Sequence, residues 1–214
     1  MSCFLKFRVA WISGQRRGRV YLHRFDPESQ GSSLVFTLET AAIFDMKWCP
    51  DLISAEKILL AVVDAAGTLT VYQLQDSDEA TILAKVSTLQ ICPDGEDALA
   101  CSLDFSSRRT PDQSPMISVS DSKGRITLVR MTEAGACLET QLVQASHGFE
   151  AWITAFDAWN PKIVFSGGDD SKLRGFCLDG NSAYPIFTIG KEHMAGVTSL
   201  LSDVYLEHRL YSGR

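Results

Sequence analysis

The stretch that decides the fold runs His147-Gly148-Phe149-Glu150-Ala151-Trp152-Ile153-Thr154-Ala155-Phe156-Asp157, then Ile163-Val164-Phe165-Ser166-Gly167-Gly168-Asp169-Asp170, then Leu173-Arg174-Gly175-Phe176. A His-containing loop leads into a strand, Ala151 to Phe156. Asn160-Pro161 ends it, because Pro cannot donate to a strand ladder and disfavours helix in the residue before it. A second apolar strand, Lys162 to Ser166, runs into Gly167-Gly168-Asp169-Asp170. That cluster suits a tight turn, since Gly tolerates positive φ and Asp hydrogen-bonds nearby backbone. A third strand, Leu173 to Leu178, follows. Three short strands with turn signals between them, after a His loop, predict one blade of a β-propeller.

The same order recurs outward from this stretch, with the period of a WD-repeat protein. Residues 8–25 read as the last two strands of a blade, turning between Gln15 and Gly18. Residues 34–75 hold an outer strand at Leu34 to Leu38, then Ile43 to Trp48, Ile58 to Val63, the turn Asp64-Ala65-Ala66-Gly67, and Thr68 to Tyr72. Residues 86–131 repeat this with Ala100 to Phe105, a polar loop from Ser106 to Pro115, Met116 to Ser120, Asp121-Ser122-Lys123-Gly124, and Arg125 to Val129. The opening stretch falls in unit 142–179, and a last unit, 184–214, contains His193-Met194-Ala195-Gly196 and a strand from Val197 to Leu201. Gly18, Gly67, Gly124 and Ser171 mark equivalent turns at intervals of roughly 50 residues, slightly longer than an ordinary WD unit. The expected fold is all-β: an incomplete WD-repeat propeller of half a blade, three fuller blades and an unfinished blade, forming one domain over 1–214. Such an open arc should expose apolar side chains at its ends, such as Val197, Leu200, Leu210 and Tyr211, and be inactive by itself. No long stretch shows the i, i+3, i+4, i+7 pattern of an amphipathic helix.

Composition narrows the function classes. The 214 residues are 45% hydrophobic, ample for a core. The net charge of −6 argues against general nucleic-acid binding, which needs clustered Lys and Arg. Six cysteines lie scattered without a CxxC pair, the pattern of free thiols in a reducing compartment rather than of a disulfide or zinc framework. No apolar run reaches the ~18 residues of a membrane helix. Lys6 and Arg8 interrupt the apolar N-terminus, which lacks a signal-peptide core.

Beyond the generic repeat, Ile43-Phe44-Asp45-Met46-Lys47-Trp48-Cys49-Pro50, Phe149-Glu150-Ala151-Trp152-Ile153, Trp159, Pro161, Ser166-Gly167-Gly168-Asp169-Asp170, Leu173-Arg174-Gly175-Phe176 and His193-Met194-Ala195-Gly196-Val197 resemble the WD-repeat methylesterase family of diphthamide biosynthesis. The resemblance covers roughly residues 34–214. It implies hydrolysis of the methyl ester of diphthine, a modified histidine on translation elongation factor two, in the cytoplasm and without metal or organic cofactor. The alternative is a non-catalytic WD-repeat scaffold, since fold alone does not fix function. The closing Trp-Asp pair of ordinary repeats is replaced by Phe176-Cys177, Tyr72-Gln73 and Val129-Arg130.

Ester hydrolysis needs an activated nucleophile and oxyanion donors. No G-x-S-x-G elbow is present. The catalytic candidates are His147, Asp169 and Asp170. Their bland alternative is the hydrogen-bond network of an ordinary WD blade, formed by His147, Ser166 and one of the two aspartates. Phe176 cannot complete that network, because it has no indole N–H. The substrate-binding candidates are Phe149, Glu150 and Trp152, with Trp159 and Phe156 nearby. Core packing and an exposed loop carboxylate are their alternatives. The resemblance implies a trimethylammonium ligand, and aromatic faces with carboxylates are what such a cation needs. His23 reads as a packed strand residue and His208 as a solvated one.

Overall fold

The computed structural model describes residues 2–12, 15–50, 57–77, 80–93, 95–106, 115–132, 136–143, 147–180 and 182–214. The polar loop expected between Ser106 and Pro115 falls mostly outside these residues; Gln15 to Gly18, expected as a turn, lies inside them and is strand instead.

Seventeen strands form five antiparallel sheets among the described residues, with no helix. The first sheet holds β1 (Ser2–Ile12), β2 (Gln15–Asp26) and β3 (Gly31–Ala41). The second holds β4 (Ile43–Trp48), β5 (Ile58–Asp64), β6 (Thr68–Asp76) and β7 (Thr81–Gln90). The third holds β8 (Ala100–Phe105), β9 (Met116–Asp121), β10 (Ile126–Met131) and β11 (Cys137–Val143). The fourth holds β12 (Ala151–Phe156), β13 (Ile163–Gly168), β14 (Leu173–Asp179) and β15 (Ser182–Ile189), and the fifth holds β16 (Ser199–Ser202) and β17 (Leu210–Gly213). Each sheet is a meander, and each stacks on the next through its first strand. The five sheets do not close into a ring.

Sheets and sequence units are out of phase by one strand. Leu34 to Leu38, which opens a sequence unit, lies in β3 and completes the first sheet by pairing with β2. Tyr184 to Thr188 likewise lies in β15, the outer strand of the fourth sheet. The turn readings hold at three of four positions. Gly67 (φ 72°), Gly124 (φ 81°) and Ser171 (φ 58°) all take the left-handed conformation that closes the turn between second and third strands. Gly18 does not: it lies inside β2, between Val9 and Thr40. Gly167 and Gly168 belong to β13 rather than to the turn proper.

The core fills the spaces between sheets. The third strand of each full sheet covers the sheet before it. Tyr72 packs with Val20 of the first sheet, Val129 with Leu59 of the second, and Phe176 with Ile126 of the third. These are the positions where an ordinary WD repeat carries its tryptophan: the apolar contact is retained, the indole donor is lost at all three, and at Val129 much of the bulk is lost as well. Val197, expected at an exposed end, is instead fully buried. It lies against Gly167, and its N–H donates to the Gly168 carbonyl at 3.0 Å. Of the other residues expected there, Tyr211 is exposed, and Leu200 and Leu210 are half-buried.

Buried and half-buried carboxylates tie the sheets together. The Asp45 carboxylate accepts from Ser102 Oγ and from the Leu103 N–H, both at 3.0 Å. Asp104 accepts from the Phe156 N–H at 2.7 Å and pairs with Lys47 at 3.1 Å, bridging three successive first strands. Ser202 Oγ accepts from the Ala158 N–H at 2.9 Å and donates to Asp157 at 3.3 Å. Substituting Asp104→Ala leaves a buried N–H and a half-buried ammonium without their acceptor. It should destabilise the chain by about 3 kcal/mol, and Asp104→Asn, which keeps an acceptor, by about 1 kcal/mol. Urea unfolding midpoints of the two variants check this ordering; equal midpoints would refute it.

Candidate functional site

His147 opens the loop that enters β12, and its N–H donates to the Gly124 carbonyl at 2.8 Å. Its ring is sealed from solvent. Nδ1 lies 2.7 Å from Asp170 Oδ1, and Nε2 lies 2.8 Å from Ser166 Oγ. A carboxylate only accepts, so the ring proton sits on Nδ1, and neutral Nε2 accepts the Ser166 O–H. The ring lies close against Gly168, where a Cβ would stand 2.6 Å from Nδ1.

Asp170 is saturated. It also accepts from the Gly148 N–H at 3.3 Å and the Lys172 N–H at 3.2 Å, with Arg174 at 3.7 Å. Burial holds the His147 imidazolium pKa below its ordinary value, against the pull of Asp170. Burial pushes the Asp170 carboxyl up, but the His147 hydrogen bond and charge and two backbone N–H donors outweigh it and hold it below the usual range.

The turn after β13 sends the adjacent aspartates opposite ways. Asp169 is exposed, and its Oδ1 accepts from the Trp152 indole N–H at 3.4 Å. The Asp169 N–H donates to the Glu150 carbonyl at 2.8 Å, drawing that turn against the loop. Trp152 occupies a β-bulge between Ala151 and Ile153, and Phe44 and Cys101 occupy the same bulge in β4 and β8. A bulge re-aims the extra side chain out of the ladder. Phe149 is 64% exposed, and Glu150 and Trp152 are half-buried. The candidate residues thus divide into a sealed set, His147, Ser166 and Asp170, and an accessible set, Phe149, Glu150, Trp152 and Asp169.

Other candidates separate as cleanly. Phe156 is buried in the core, and the Trp159 indole donates to the Asp203 carbonyl at 2.7 Å. His208 is solvated, 3.7 Å from Glu207. His23 is part-buried in β2, opposite Leu34. Cys92 and Cys101 are pushed up by burial to about 11 and about 12, so both stay thiols at neutral pH and neither is an activated nucleophile.

One pair is not evident from the motifs alone. His193 Nε2 lies 3.1 Å from Ser212 Oγ, in the fifth sheet. The spacing is the signal that could find it, because His147–Ser166 and His193–Ser212 are both 19 residues apart. Recurrence in the next unit identifies the His–Ser pair as a device of the repeat. His193 and Ser212 also line a cavity of about 490 Å³ between the fourth and fifth sheets, walled by Phe165, Leu173, Phe187 and Leu210.

These stacked antiparallel meanders, with a His–Ser–Asp chain joining loop, second strand and turn, define a WD-repeat β-propeller fold. The chain superposes on one from an inhibitor-bound, humanized mutant of Chaetomium thermophilum Polycomb Repressive Complex 2, with TM-score 0.65 and 17% identity, covering 98% of this chain and 47% of that one. It also superposes on one from the mitotic checkpoint complex, with TM-score 0.61 and 19% identity, covering 96% and 55%. No family model matches the sequence. It is similar to the diphthine methyltransferase of Homo sapiens, 37% identical over 203 residues, and to that of Mus musculus, 35% over 204. A Schizosaccharomyces pombe diphthine methyltransferase is 28% identical over 190 residues. The matches cover 92%, 92% and 87% of this chain, which spans about half the length of these curated relatives or less.

The network predicts an acid-sensitive fold. His147 and Asp170 both bind protons more weakly when folded than when unfolded, so protonation favours the unfolded chain. Stability should be full above the ordinary histidine range, fall as pH drops below about 6.5, and fall further through the carboxylate range. Thermal unfolding midpoints from pH 7.5 to 4 measure this. His147→Gln should flatten the upper part of the profile; an unchanged slope would contradict it.

Proposed function

We propose that this chain carries part of an enzyme of diphthamide biosynthesis that hydrolyses the methyl ester of diphthine on translation elongation factor two. The relatives' name describes a methyl transfer involving diphthine; the family resemblance points to removal of the ester methyl. In both descriptions the substrate is diphthine, whose trimethylammonium group suits an aromatic face beside carboxylates. The observation that supports this reading best is the Trp152–Asp169 pair, open to solvent beside Phe149 and Glu150.

In this reading Trp152 and Phe149 offer faces to the cation, and Glu150 and Asp169 supply opposite charge. His147 and Asp170 hold the loop and turn that carry these groups. Asp169 is the accessible carboxylate of the three catalytic candidates. It accepts a proton from the attacking water as the new carbon–oxygen bond forms and returns that proton to the departing methoxide as the ester carbon–oxygen bond breaks; methanol leaves, and the carboxylic acid product ionises to the free carboxylate. The proposed partner is elongation factor two, and the proposed location is the cytoplasm. A second reading, a non-catalytic scaffold, is favoured by the complete burial of Ser166, which no ester could reach.

Methanol release from elongation factor two bearing methylated diphthine separates the two readings. Asp169→Asn should lower turnover about a hundredfold, the usual worth of a general base. Ser166→Ala should lower thermal stability while leaving turnover per folded molecule intact. Undiminished turnover in Asp169→Asn would remove that residue from the chemistry. No release by the parent protein would leave the scaffold.

A further inference from the structure

We propose that Gly196, in the loop of the following unit, is a positioning residue that sets the Asp169 carboxylate against the Trp152 indole; its functional meaning rests on the cation-binding reading above. Three observations converge on it. A Cβ built on Gly196 would lie 2.6 Å from Asp169 Oδ1 and 3.2 Å from the Asp169 Cα. Oδ1 is the oxygen that accepts the Trp152 indole N–H. Gly196 itself is pinned, because the next residue, Val197, is fully buried and donates its N–H to the Gly168 carbonyl at 3.0 Å. The loop therefore cannot retreat, while the carboxylate, at the end of a short side chain on an exposed residue, can swing.

Gly196 is not among the residues with positive φ. Its backbone suits alanine, and the need for glycine is the space its missing side chain leaves. The seam between two units thus fixes a group whose hydrogen bond lies within one of them. Alanine at 196 drives Oδ1 off the indole and leaves the fold otherwise intact. Asp169→Ala removes the same oxygen without touching the loop, so the two substitutions should not add.

The probes are the backbone and indole ¹H–¹⁵N spectrum of the 214-residue chain and titration with tetramethylammonium chloride against a sodium chloride control. Trp152→Phe assigns the indole signal. Gly196→Ala should shift the Trp152 indole N–H signal, leave the thermal midpoint close to the parent's, and weaken tetramethylammonium binding about fivefold. Asp169→Ala should produce the same indole shift, and Gly196→Ala in that background should move the indole signal no further. An unmoved indole signal in Gly196→Ala, or full additivity of the two substitutions, would overturn the positioning role. A parent chain that responds alike to tetramethylammonium and sodium would overturn the cation site itself, whatever the indole signal does.

Discussion

A neutral imidazole sealed from water must have both nitrogens satisfied, and His147 meets that demand by joining three segments. Its Nδ1–H reaches the turn through Asp170, its Nε2 reaches β13 through Ser166, and its backbone N–H reaches the preceding unit through Gly124. An unpaired buried polar group costs about 1–3 kcal/mol, so each partner is constrained by the other two. The consequence lies on the surface. Fixing Asp170 inward turns Asp169 outward, and fixing the loop at His147 sets Phe149, Glu150 and the bulged Trp152 beside it.

The repeat does the same work twice with less. His193 and Ser212 reproduce the imidazole–hydroxyl contact at the same separation in the chain. The carboxylate ties between first strands also recur, with Asp45, Asp104 and Asp157 each bonded to the following sheet. Hydrophobic packing supplies most of the energy between sheets. These directional contacts set the register in which the sheets stack, because a carboxylate that misses its N–H is left buried and unpaired.

Much of this architecture is legible in the amino-acid sequence. Short strands of alternating pattern and Asp/Gly turns announce the propeller, and Ser171 stands where a left-handed residue is needed although it is not glycine. The phase of the sheets is not legible. Leu34 to Leu38 and Tyr184 to Thr188 look like the start of a unit in sequence, yet hydrogen bonding returns each to the sheet before. Gly18 misleads because a glycine inside a long strand and one in a turn are alike in sequence. The site is half legible. The right residues gather in one repeat, but adjacent Asp169 and Asp170 cannot be told apart there, since only the conformation of the turn decides which points inward. Val197 looks exposed in sequence because the glycines of β13 that receive it lie about 30 residues away along the chain. The close approach of Gly196 to Asp169 is invisible for the same reason.

The central claim is that His147 is a neutral, doubly bonded structural hub carrying its proton on Nδ1. Long-range ¹H–¹⁵N correlation spectra of the histidine side chains across pH test it directly. The account predicts a His147 ring with a protonated Nδ1 and an unprotonated Nε2 at a pH of about 6.5, the ordinary histidine value, and titration below that value if the fold survives. A His147 ring that is protonated on both nitrogens at that pH, or that carries its proton on Nε2, would contradict it.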